Sequence, residues 1–197
     1  MSPILELIGG VKGYGWGSSK IFLPSFESIA TATVGPGGAS NVTFSSIPSI
    51  YTHLQIRQIS RSNRQGNVAD GFYIQFNSDT ANNYTTHALA GSYPTSVSSY
   101  QDTTQGGIIG TVASATNTAA NVFGTGVIDI LDYKNTNKFK TTKLLAGMED
   151  NTYGYVQIAS GNWRSTSAIT SIQIFPQIGS AWNQHTHFAL YGIKVSE

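Results

Sequence analysis

The chain has no cysteine among its 197 residues. That excludes a disulfide framework, a thiolate metal site and a cysteine nucleophile. Charge is scarce too: Asp, Glu, Lys and Arg make up 11% of the sequence, against about 25% in an average soluble domain. Eleven Lys and Arg nearly balance ten Asp and Glu, leaving a formal net charge of +1. So neutral a chain argues against a nucleic-acid binder held by bulk charge and against a polybasic membrane binder. No apolar run approaches the ~20 residues of a bilayer-spanning helix. No window carries the apolar repeat of an amphipathic helix. The opening residues hold no cationic segment leading into an apolar one, so synthesis in a cytoplasm without a Sec signal peptide is expected.

What is present is 40% hydrophobic residues, 11% aromatics and 21 glycines. That is enough apolar matter for one full core in a chain of this length, so the low charge does not mean disorder. Residues 1–24 form a first region, with glycines at 9, 10, 13, 15 and 17. Tyr14, Trp16, Ile21 and Phe22 punctuate it. Large aromatics on a glycine-rich segment need a surface to bury against, and partner surfaces favour Trp and Tyr. The expectation is a docking arm. Lys12 lies among the glycines without a following Gly-Lys-Ser/Thr, so no phosphate-binding loop is present.

Residues 25–197 read as one all-β domain. Short runs alternate apolar and polar residues: Phe26 to Val34, Asn41 to Ser46, Tyr51 to Ile59, Phe72 to Phe76 and Gly107 to Ala113. Val122 to Tyr133, Phe139 to Met148, Tyr153 to Ala159, Ile169 to Phe175 and Phe188 to Val195 complete the series. Ten to twelve strands at this spacing predict an antiparallel β-sandwich of jelly-roll type. Three details carry specific expectations. Ile59 falls out of phase with Leu54 and Ile56, which predicts a bulge. Residues 78–106, rich in Ser and Thr, predict a long loop with a strand-like patch near Thr86 to Leu89. Val122 to Tyr133, apolar at both parities, predicts a central strand covered on both sides.

Few residues suggest chemistry. His185 and His187, two apart, would share one strand face and could offer two nitrogens to a metal, with a threefold axis needed to complete the shell. The simpler reading is two polar residues on a solvent face, and no metal or other cofactor is expected. Asn77, Asp79, Asn82 and Asn83 supply oxygens for calcium but only one carboxylate, which fits a turn cluster better. Asp129 and Asp132, three apart on a strand, face opposite ways and make no catalytic pair. No Gly-x-Ser-x-Gly elbow occurs. Nothing here argues for an enzyme. Trp163 and Trp182 lie in turn-rich stretches, and Tyr153 and Tyr155 sit beside a turn. Exposed, these four rings would stack on sugars; buried, they would cap the core or an interface.

The stretches FESIATATV (26–34), FSSIPSIYTHLQIR (44–57), FNSDTANNYTTH (76–87), IDILDYKNTNK (128–138), GNWRSTSAITSIQI (161–174) and FALYGIK (188–194) resemble a family of small virion structural or tail-fibre-like proteins of tailed phages, of the marine and cyanobacterial type. The resemblance implies a bacteriophage particle and brings no catalytic residues with it. A particle protein also reconciles a secreted-looking composition with the missing signal peptide, because it assembles in the host cytoplasm and leaves by lysis. The expected partners are other virion proteins, a homotrimer of itself by analogy with phage fibres, and a host surface glycan. Nucleic acid and membrane insertion are not expected. A tail-associated fibre or adhesin is the leading expectation, and a capsid decoration, cement or head-fibre protein the alternative.

Overall fold

A computed structural model describes residues 25–93 and 97–195. The arm of residues 1–24, with Tyr14, Trp16, Ile21 and Phe22, lies outside the described residues. The described chain forms twelve strands: β1 Phe26–Thr33, β2 Val42–Phe44, β3 His53–Ser60, β4 Ala69–Phe76, β5 Tyr84–Tyr93, β6 Val97–Gln105, β7 Ile108–Ser114, β8 Gly124–Leu131, β9 Lys140–Glu149, β10 Gly154–Trp163, β11 Ile172–Pro176 and β12 His187–Ile193. They build two antiparallel sheets, ordered β1-β12-β3-β8-β9-β10-β5-β6 and β2-β11-β4-β7. β5–β6 and β9–β10 are hairpins that extend the first sheet past β8. With those two set aside, β1-β12-β3-β8 faces β2-β11-β4-β7. That order is the jelly roll, two Greek keys folded over one another. The all-β sandwich read from the sequence is therefore the observed fold.

Alternation positions the core. Leu54 and Ile56 of β3, Ile128 and Ile130 of β8 and Leu190 of β12 point inward from the large sheet. Phe72, Ile74 and Phe76 of β4 and Ile172 and Ile174 of β11 meet them from the small one. Each is fully buried, and burying a side chain of this size stabilises the fold by roughly 1.5–3 kcal/mol.

Three expectations are corrected. β3 runs through without a register shift, pairing Ile59 with Thr125 and His187. Gln58 and Ser60 take the inward positions, where the Ser60 hydroxyl donates to Gln58 Oε1, and Ile59 faces out. The expected loop at 78–106 is largely the β5–β6 hairpin. Its inward positions at Ala88 and Ala90 are small, so the apolar alternation is faint in the sequence. β8 is central but covered on one side only: Ile128 and Ile130 are buried while Val127 and Leu131 are exposed on the outer face.

The sandwich has two unlike ends. At one, the backbone N–H of Lys194 donates to Ser25 O (2.8 Å) and that of Thr52 to Ile193 O (2.8 Å). Both described chain ends therefore leave there. At the other, the connections 34–41, 61–68, 115–123 and 177–186 are hydrogen-bonded to one another, for example Asn63 N to Ala181 O (3.0 Å) and Thr116 N to Arg64 O (3.1 Å).

Candidate functional site

The loops at that second end are held by two buried or half-buried charges. The Asp70 carboxylate is buried. It accepts from Ser62 Oγ (2.7 Å), Gly179 N (3.0 Å) and Ile178 N (3.3 Å), with Arg64 Nη1 at 3.9 Å. One carboxylate thus ties 61–68 to 177–186. Arg61 does the same for 115–123: its Nη1 donates to Thr118 Oγ1 (2.8 Å), Val122 O (2.8 Å) and Ala119 O (3.0 Å). Burial lowers the pKa of this guanidinium. Gly38 closes the set at φ +71, where a side chain would meet the Trp182 carbonyl at 2.9 Å. Ala39 and Trp182 then exchange backbone hydrogen bonds of 3.1 and 2.7 Å.

Between these loops lies an open cleft of about 580 Å³. Asn63, Asn121, Phe123, Asn183, Gln184 and His185 line it. The lining offers amides, an imidazole and the Phe123 ring, with the buried Trp182 at its floor, and carries Arg61 as its charged group. Such a surface can hydrogen-bond hydroxyls and cover one apolar face of a ligand. Phe123 also lines a second open groove, where the large sheet reaches the same end, together with Tyr93, Tyr155, Val156 and Glu149. Gly91 and Gly147 lie opposite Val156 on the neighbouring strands. Tyr93 is 70% exposed. The turn below is rigid: Asp150 Oδ1 accepts from Tyr153 N (2.6 Å), Thr152 Oγ1 (2.9 Å) and Thr152 N (3.0 Å), and the bonds from Thr152 lead in holding its carboxyl below the usual range.

The sequence-predicted rings divide. Trp163 is 2% exposed and Trp182 fully buried, so neither has a face free for a sugar, and the expectation of stacking by these two indoles is corrected. The reason is parity. Trp163 ends β10 on the inward side with Gln157, Ala159 and Gly161, where it stacks on Tyr84 with centroids 6.1 Å apart. Trp182 packs edge-on against Phe72 and Phe188 and donates from Nε1 to Ile174 O (3.2 Å). Tyr153 and Tyr155 are half-buried against the rim of the core, and Tyr155 is the one that lines the groove. Tyr93, another ring that the sequence places in or beside a loop, lines the groove too, whereas Phe123 is not marked by sequence reasoning. Tyr93 falls inside the stretch read as loop, between Ser92 and Pro94, and Phe123 inside a run read as strand, where the following Gly124 is the available signal.

The histidines do not share a strand face. His185 sits in a turn at φ +72, and β12 begins at His187. His187 Nδ1 is bonded to Thr33 Oγ1 at 2.8 Å. Among the described residues no three His, Asp or Glu side chains gather as a metal site would need. In the 77–83 turn the Asn77 and Asp79 side-chain oxygens are engaged internally, while Asn83 Oδ1 is buried without a partner. Asn77 Oδ1 accepts from Thr170 N and Ser171 N, and Asp79 from Ala81 N, Asn83 Nδ2 and Trp163 Nε1. Asp129 takes a hydrogen bond from Gln55 Nε2 (2.9 Å). Asp132 lies beyond β8; its carboxylate pairs with Lys138, and its backbone N–H donates to His53 Nδ1 (2.9 Å).

No known protein family matches this chain, and no curated protein matches it. Among solved structures, the chain is similar at a TM-score of 0.18 and 9% identity to the CBM2 module of the evolved Dit of Lactobacillus casei BL23 phage J-1, over 100% of this chain and 87% of that one. A likeness of that size carries neither fold nor function across; the strand order and the cleft at its loop end are what the chain itself supplies.

Proposed function

We propose that this chain is a non-enzymatic structural protein of a bacteriophage particle, a tail-associated adhesin whose arm, residues 1–24, docks on the particle. The opposite, loop-bearing end contacts the host surface through a glycan. One observation carries the reading: the chain ends and the clamped loops occupy opposite ends of the sandwich. An arm attached at Ser25 would hold the polar cleft and the Tyr93–Phe123 groove away from the particle. Binding loops on a rigid scaffold are the usual way such folds present a site. Neutral amides beside an aromatic ring suit a sugar better than an ionic ligand.

Cryo-electron microscopy of particles with a labelled copy tests the location. Density at the tail tip or baseplate is the expected result. Density at capsid symmetry axes would overturn it in favour of a decoration protein, a reading supported by β1 beginning at Phe26 with no shaft after the arm. Removal of residues 1–24 is expected to abolish incorporation while the sandwich still folds. The glycan contact is tested with purified protein on host cells and their polysaccharide. Phe123→Ala and Tyr93→Ala are expected to lower binding at least tenfold, and wild-type protein that ignores both surfaces would refute the contact.

A further inference from the structure

The outer face of the large sheet carries an aliphatic row in strict register. Val127 of β8 pairs with Leu145 of β9, Leu145 with Ile158 of β10, and Ile158 with Leu89 of β5. They are 36%, 56%, 46% and 52% exposed. The next row reads Ile59, Thr125, Gly147, Val156, Gly91 and Val97. From β8 to β5 neither row holds a charge or an aromatic ring. Sugars stack on rings, so this face is built for protein. Its aliphatics lie side by side on four neighbouring strands and make one continuous patch, where a monomer normally scatters such residues singly.

We infer that a second copy of this chain covers this face. Two features favour a copy over another protein. The first is area. Six strands at ~4.8 Å spacing and eight residues of ~3.4 Å rise give about 650 Å² before side-chain relief, close to the ~800 Å² each partner contributes to a standard interface. The face is thus large enough for equal to meet equal. The second is charge. The row flanking the aliphatics runs Gln55, Asp129, Lys143, Ser160 and His87. It sets one acid directly beside one base, so the face can meet its own image acid to base. An apolar centre with a polar rim is the anatomy of a subunit interface. An open depression of about 670 Å³ between His87, Leu89, Lys143 and Ile158 gives the copy somewhere to seat.

The test is the solution mass of the full chain by light scattering and sedimentation velocity. Wild type is expected at twice the chain mass or a higher whole multiple of it. Leu145→Glu with Ile158→Glu is expected at the monomer mass with unchanged circular dichroism, and Ile178→Glu, equally exposed at the loop end, is expected to keep the wild-type mass. Should the double variant fail to fold, Leu145→Cys decides, since the chain has no native cysteine: a short bismaleimide is expected to join copies through it. A monomeric wild type up to its solubility limit, a double variant of wild-type mass, or no cross-link would each overturn the inference. All three outcomes would leave the host-contact reading at the polar cleft standing, because that cleft shares no residue with this face, whereas the Tyr93–Phe123 groove shares Gly91, Gly147 and Val156 with it.

Discussion

The indole Nε1 of Trp163 donates to Asp79 Oδ2 across 2.8 Å, joining the end of β10 to the turn after β4. Asn83 Nδ2 donates to the same oxygen (2.9 Å) and Ala81 N to its neighbour (2.9 Å). Burial pushes the Asp79 carboxyl up, and these three donors together outweigh it, so the group sits below its ordinary value.

A carboxyl depressed in the folded state stabilises above its unfolded pKa, about 3.9, and that stability drains away as pH falls through the folded value. Urea midpoints of wild type are therefore expected to fall below about pH 4. Asp79→Asn is expected to lower the neutral-pH midpoint and flatten the acid limb. An unchanged acid slope would contradict this account.

The alkaline side has its own marker. Burial raises the Tyr84 phenol to about 12, with its bond to Phe76 opposing and the Asp79 charge adding. A raised phenol stabilises below its unfolded pKa near 10, and that stability is lost as pH climbs to the folded value. Burial also raises Tyr51 and Tyr133, so absorbance titration of the phenols is expected to show a late group that includes Tyr84. Tyr84→Phe is expected to remove one phenol's absorbance from the end of that late group.

Lys140 is fully buried, and its Nζ donates to three carbonyls: Asn135 O (2.6 Å), Lys138 O (3.0 Å) and Thr166 O (3.1 Å). Burial lowers its pKa, and the Asp132 charge opposes that shift. Lys140→Met keeps the volume but strands the acceptors. Since an unsatisfied buried group costs about 1–3 kcal/mol, a loss on the order of 3 kcal/mol is expected in chemical melts.

Gly192 lies under the ring of Tyr51, where a methyl group would approach Cγ to 2.3 Å. The ring cannot retreat freely, because its hydroxyl donates to Glu27 Oε2 at 2.9 Å. Gly192→Ala is expected to destabilise by several kcal/mol, of order 1–3 or more for overpacking, and Gly192→Ala with Tyr51→Leu to recover part of that loss.

Much of the fold was legible because Leu54, Ile56, Ile74, Ile128 and Ile174 alternate strongly enough to fix which face each strand buries. Parity failed where inward side chains are small or polar. Ala88 and Ala90 hid a whole hairpin, and Gln58 with Ser60 made a regular strand look bulged. The two tryptophans misled for a different reason. Their turn-rich neighbours suggested exposure, yet the register of β10 counts Trp163 inward, and the bridges of Trp182 to Ala39 and Ser62 fold it over the core. The candidate site was less legible, since four separate connections build the cleft and no local motif marks it. Only Tyr155 of the four named rings touches the groove.

The register of Phe26 with Ile193 sets a timetable for the growing chain. The β9–β10 hairpin can close soon after synthesis, whereas β1 waits for β12, the twelfth of the described strands in chain order. Pairing so distant in sequence makes closure slow, and until then the flank of β3 that β12 will occupy stays open to any other strand. The jelly roll is therefore sealed late, in a single step that waits for β12.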